Sequence, residues 1–317
     1  MHKPLFSTIA ASCAALMLVG LASAGTVRPA DSDEDDLRPS GKGWGERLEK
    51  AKDDKEDKDN NAAGKTKHTG SGINYHGGPL ILGTTHMYYI WYGNWAGNTA
   101  TNILADLANN IGGSPYFNIN TTYYDGNNTK VTNAVTLPKS TNVASSGTYD
   151  KSLSDSEIQT VVSNAITSGA LLKDTNAVYF VLTSADVTAS SGFCTQYCGW
   201  HTHATIGGAD IKYAFVGNPD RCPDACAAQS TSPNGNAGAD GMASIIAHEL
   251  EEAVTDPDLN AWYDTRGNEN ADKCAWTFGT TYAANGGLAN MKLGARDYLI
   301  QRNWVNAGSG YCDRQYP

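Results

Sequence analysis

The sequence predicts one α+β domain with a mixed sheet and a disulfide-stapled C-terminal part. Strand-like and helix-like runs alternate along its first half. Every cysteine but one falls after residue 190. Beyond Asp256-Pro257 the chain turns Gly-, Asn- and Trp-rich and loses its periodicity. The strand signals are residues 86–92 (HMYYIWY), 116–124, 177–183 (AVYFVLT) and 211–217 (IKYAFVG), all rich in β-branched and aromatic residues. Three helices are expected. Residues 99–110 repeat their apolar side chains at helical spacing. Residues 154–167 open with Ser154 and carry Glu157 three positions on, a capping box. Residues 237–254 form the third, and Pro257 stops it.

The domain has a leader. Residues 1–24 run from Met1, His2 and Lys3 into an apolar stretch ending Ala22-Ser23-Ala24, which reads as a signal peptide cleaved before Gly25. An uncleaved anchor is the alternative, since the run is nearly long enough to span a bilayer. No other run is, so the mature protein is expected to be secreted, with no membrane span. Residues 25–72 contain DSDEDD and ERLEKAKDDKEDKDNN with Trp44 as their only aromatic, too little apolar surface for a core, and are expected to be a disordered charged spacer. The folded domain is expected over residues 73–317. Once Cys13 leaves with the leader, Cys194, Cys198, Cys222, Cys226, Cys274 and Cys312 remain, an even set that reads as disulfides with the pairing left open.

Charge narrows the function classes. The 317 residues hold 33 Asp+Glu against 23 Lys+Arg, a net charge of -10 that argues against nucleic acid as a partner. The excess is local: residues 240–272 hold nine acidic residues and one basic one, Arg266. Carboxylates gathered this closely favour a bound cation.

The chemistry-bearing run lies inside that stretch, in GMASIIAHELEEAVTDPDLNAWYD. His248 and Glu252 sit one helical turn apart on one face, so both can point at one ion, and Glu249 projects beside it. The spacing is that of the zincins, in which two His of a His-Glu-x-x-His run hold zinc and the Glu is general base. Here Glu252 stands in place of the second His. Asp258, ten positions after His248 and past a turn, stands where the metzincin branch has its third ligand. The expectation is a zincin-like, metzincin-like domain with a divalent metal on His248, Glu252 and Asp258 and Glu249 as catalytic base. Zinc is the first candidate, and the hard oxygen ligands also admit Mn²⁺ or Ca²⁺. Two carboxylates cancel the metal's charge, so such a site would be a weaker Lewis acid than a three-imidazole one. Met291 falls where a metzincin places a Met-turn, although core packing is its default reading. Ranked lower are His201 and His203, which alternate as on a strand, and the oxygen-rich Asn268, Glu269, Asn270 and Asp272, read as a polar turn or a Ca²⁺ loop. Asn120-Thr-Thr and Asn127-Asn-Thr read as glycosylation acceptors, relevant only in a eukaryotic source. There is no phosphate-cradling Gly-rich loop and no Gly-x-Ser-x-Gly elbow.

Six stretches resemble the phosphate-induced protein (EXORDIUM) family. They are YHGGP at 75–79, IWYGNW at 90–95, YAFVGNPDRCP at 213–223, the motif stretch at 233–264, GNENADKCAW at 267–276 and NMKLGARDYLIQRNWVN at 290–306. The resemblance implies an extracellular or cell-wall protein linked to growth and to phosphate or hormone response. It brings no catalytic residues. Two classes of function therefore stand side by side. One is a metallopeptidase-type hydrolase acting on an extracellular protein or peptide. The other is a non-enzymatic growth-regulating or wall-binding protein, with Trp91, Trp95, Trp200 and Trp262 as candidate contacts to carbohydrate or a partner.

Overall fold

The computed structural model describes residues 72–144 and 151–317. The expected leader lies outside the described residues, as does the spacer up to residue 71. Five strands form the main sheet: β1 Thr85–Tyr92, β2 Val135–Val143, β3 Ala177–Thr183, β4 Gly199–Ile206 and β5 Ala209–Val216, in the order β2-β1-β3-β5-β4. Four run parallel, and β4 pairs antiparallel with β5. The sheet is therefore mixed. Helix α1 (Ala100–Ile111) makes the crossover from β1 to β2, and α2 (Asp155–Thr167) lies between β2 and β3, as parallel neighbours require. The hairpin β4–β5 closes on Gly207-Gly208, both at positive φ (57° and 76°), which a tight two-residue turn demands.

The central strands β1 and β3 are buried almost throughout, which explains their unbroken apolar and aromatic composition. Tyr88 stacks on Tyr179 across them, ring centroids 4.9 Å apart. Strand β2 was not expected from sequence. It is a largely exposed edge strand containing Pro138 and Lys139, so no apolar alternation marks it. The strand expected at 116–124 is instead a 3₁₀ segment, Phe117–Thr122. The Ser114 hydroxyl accepts the Phe117 N–H, and the hydroxyls of Thr121 and Thr122 donate back to the carbonyls of Asn118 and Ile119. These local bonds satisfy the backbone and outcompete the strand propensity of the run.

The capping box of α2 forms as expected: Ser154 Oγ accepts the Glu157 N–H, and the Glu157 carboxylate accepts the Ser154 N–H at 2.7 Å. The third helix, α3 (Ala237–Thr255), is different in kind. It is buried on nearly every face, packing against β4, β5 and α1. Asn236 caps its start by accepting the Ala239 N–H. At its end Asp256 takes over, its carboxylate accepting the Ala261 N–H at 2.7 Å before the chain turns through Leu259 at φ 57°.

The pairings left open by the sequence are Cys194–Cys222, Cys198–Cys226 and Cys274–Cys312. The first two tie the segment entering β4 to the segment leaving β5, and so staple the open end of the hairpin. The third fastens the loop after residue 267 to the C-terminal ribbon Asn303–Val305 with Tyr311–Asp313. The C-terminal part is built from such short ribbons. Met291 opens one of them, paired with Tyr298, and packs partly buried against the core. Trp91, Trp95, Trp200 and Trp262 are all buried, so none offers a ring face to carbohydrate. Asn120 is also fully buried and is no glycan acceptor. Among the described residues no helix is long and apolar enough to cross a membrane.

Candidate metal centre

Helix α3 carries His248, Glu249 and Glu252 into the interior, where they are 5%, 1% and 1% exposed. Two other segments converge on them. Strand β4 brings His201, and the loop following residue 267 brings Glu269 and Asp272. The loop is seated on the helix by its own hydrogen bonds. Asn270 Nδ2 donates to the Glu251 carbonyl at 3.1 Å, and the Asp272 N–H donates to Glu252 Oε1 at 3.0 Å. Gly199 admits β4 at close range. A side chain there would fall 2.5 Å from Ile245 Cγ2 and 3.0 Å from Glu249 Oε1.

His248 Nε2 lies 3.1 Å from Glu252 Oε1 and 3.5 Å from Asp272 Oδ1. Neither approach is a hydrogen bond: both nitrogens of His248 and Asp272 Oδ1 have no hydrogen-bond partner. Buried groups left this way are costly. The three atoms stand at the corners of a small polygon of donors. Ligands held tetrahedrally at zinc distances lie about 3.3–3.4 Å from one another, and the separations of 3.1 and 3.5 Å from His248 Nε2 bracket that value. The residues therefore fit a divalent ion.

Of the expected triad, His248 and Glu252 are brought together and Asp258 is not with them. The Asp256 cap and the turn at Leu259 aim Asp258 at Lys212 Nζ (3.2 Å) and His203 Nδ1 (3.6 Å). Asp272 stands in its place. Glu249 does not project toward His248's ligand set either: its Oε2 faces His201 Nδ1 at 3.4 Å. Asp272 and His201 were both visible in the sequence, one as part of an oxygen-rich loop and one as an alternating strand His. Nothing in the spacing joined them to the helix, because that contact is made only by the tertiary fold.

Electrostatics sharpen the picture. Burial alone would lower the pKa of His248, but Glu252, Asp272 and Glu249 outweigh it and hold it well above the ordinary value. His201 is raised in the same way, against burial, by Glu269, Glu249 and Glu252. Burial pushes Glu249 and Asp272 up, with the Glu252 charge adding to both. Glu252 is held far below the carboxylate range despite burial, by His248 and His201. Glu251 points away from this centre, accepts from Asn303 Nδ2 at 2.6 Å, and is raised well above its usual value by burial. Beside His248 and Glu249 runs a narrow slot, also bordered by Gly199, Ile245, Trp276 and Gln301, with room for roughly one water.

The family model described as the phosphate-induced protein 1 conserved region matches residues 73–296, which include every residue of this centre. The chain belongs to the phosphate-induced protein 1 family. Among its relatives is Protein EXORDIUM-like 3 of Arabidopsis thaliana, 33% identical over 280 residues that cover 76% of this chain and 82% of that protein. Protein EXORDIUM-like 5 of the same plant is 29% identical, over 73% of this chain and 75% of its own. Protein PHOSPHATE-INDUCED 1 of Nicotiana tabacum is 28% identical, covering 60% and 67%. No solved structure matches the chain. The family thus spans the sheet, the hairpin and α3, and the third disulfide reaches beyond the matched segment to Cys312.

Proposed function

We propose that this phosphate-induced protein 1 family member is a secreted, wall-associated protein whose zincin-like domain holds a divalent ion, zinc by preference, as part of its fold rather than as a hydrolytic catalyst. His248, Glu252 and Asp272 would be its ligands. The observation that carries the reading is the close but unbonded approach of His248 Nε2 to two carboxylate oxygens in a buried place. The zincin-like assignment is supported by a His-Glu-x-x-Glu run on a buried helix that follows an antiparallel edge hairpin. Export is supported by three disulfides, which persist in oxidising compartments. Partners would be extracellular proteins, peptides or wall components met on the outer surface, since the buried tryptophans offer nothing.

Metal analysis of the purified mature chain tests this. At least one divalent ion per chain is expected, with loss in Glu252→Ala. A metal-free wild-type protein with unchanged stability in chelator overturns it.

The second reading is a metallopeptidase-type hydrolase, and one observation favours it: His248 and Glu249 both border the slot. A peptide bond needs more room than one water. On this reading Glu249→Gln keeps its metal and loses a measurable peptidase activity. A metal-loaded wild type inert toward peptide libraries leaves the structural role standing.

A further inference from the structure

The ion just proposed accounts for only one side of Glu252. Its other oxygen, Oε2, lies 3.5 Å from His201 Nδ1, which is also 3.4 Å from Glu249 Oε2. These three atoms form a second group of potential ligands, all within 4.8 Å of one another, and all three residues are buried. Glu249 Oε2 has no hydrogen-bond partner, although its residue is only 1% exposed. His201 carries a further sign of ligation. Its opposite nitrogen, Nε2, meets the carbonyl of Asp256 at 3.4 Å. A metal-bound imidazole usually donates its remaining N–H to a backbone carbonyl or carboxylate, which fixes the tautomer with the bare nitrogen toward the ion.

We infer that the centre takes two divalent ions, the second held by His201 Nδ1, Glu249 and Glu252, with the Glu252 carboxylate bridging both. A bridging carboxylate suits ions about 3.5–4 Å apart, the usual spacing of two-metal sites. The charges agree. Glu249, Glu252, Glu269 and Asp272 together match two divalent cations, so the centre reaches neutrality without protonated histidines. A single ion would cancel only two of those four charges. This inference rests on the proposed function, because the shared ligand belongs to both ions. It recasts Glu249 as a ligand rather than a base.

The test is ion stoichiometry on the full mature chain, with zinc counted per chain and Mn²⁺ exchanged in as a magnetic probe. Two zinc ions per chain are expected, together with an exchange-coupled Mn²⁺ pair in electron paramagnetic resonance. His201→Gln and Glu249→Gln should each fall from two ions to one, and Glu252→Gln to fewer than one. One zinc per chain in the wild type, an uncoupled Mn²⁺ spectrum and no change in His201→Gln overturn the second ion while leaving the first intact. No ion in the wild type overturns both readings. The Mn²⁺ spectrum needs no variant, so a substitution that fails to fold does not leave the inference untested.

Discussion

His201 and His203 lie two residues apart on β4 and face the same side of the sheet, yet their surroundings are opposites. His201 is 2% exposed and meets carboxylates whose cationic neighbours are the two imidazoles themselves. His203 sits half-exposed in an outer cluster where Lys212 supplies a permanent positive charge, 2.5 Å from Asp210 and 3.2 Å from Asp258. Both clusters look alike as lists of His and acidic residues. The lysine separates them. The lysine offsets part of the outer cluster's charge from within the fold, whereas the inner one has no lysine or arginine among its ion pairs and is offset only by its imidazoles or by a bound cation.

The contrast can be broken at several points. Glu252→Ala should have the largest effect, because it removes the shared acid and strands two buried imidazoles. Loss of one partner from a buried ionic group costs about 3–5 kcal/mol. With about 2–4 °C per kcal/mol for a domain of this size, a calorimetric melt should fall by roughly 6–20 °C. A melt unmoved by that substitution would erase the distinction between the clusters. Next is the pair Cys274→Ser and Cys312→Ser, which unfastens the loop bearing Asp272. The expected loss is about 2–4 kcal/mol in denaturant unfolding, with faster release of the ion to chelator. Equal release rates would mean the bridge does not position Asp272.

The outer cluster should respond more mildly and without touching ion content. Lys212→Met leaves Asp210 and Asp258 without their amine and should cost about 1 kcal/mol. Asp258→Asn should cost less than about 1 kcal/mol. Metal analysis decides the latter, since ion loss in Asp258→Asn would return this residue to the inner centre. The smallest effect, and a baseline for the rest, is Glu157→Gln in the capping box of α2. Hydrogen bonds from Ser154 lower the Glu157 pKa, so its contribution is present above the unfolded value of about 4.3 and fades as pH falls below it. The melting difference from wild type should shrink on acidification from about pH 6 to about pH 3.

Much of the scaffold was legible in the sequence. The capping box, the three helices and the strands at β1, β3 and β5 all announce themselves through local patterns that the fold keeps. What was missed has a common cause. Strand β2 is exposed and polar, and 117–122 is held by hydroxyl bonds that propensity does not weigh. The site divides the same way. His248 and Glu252 share one helix, so their spacing is a local fact. Asp272 reaches them from twenty positions beyond Glu252, through Asn270 and the Cys274 bridge. The expectation for Asp258 relied on a fixed-length turn, but the length of a turn does not set its direction. The Asp256 cap does that.

The narrowness of the slot has a consequence in time. A hydrated divalent ion is larger than the space beside His248. On the proposed reading, entry and exit of an ion would depend on local opening of the α3–loop contact, which is slow wherever packing and a disulfide hold it shut. On that reading, an ion taken up while the chain folds and oxidises would exchange only slowly with those it meets afterwards. The protein's cargo would thus be a record of the compartment in which it matured.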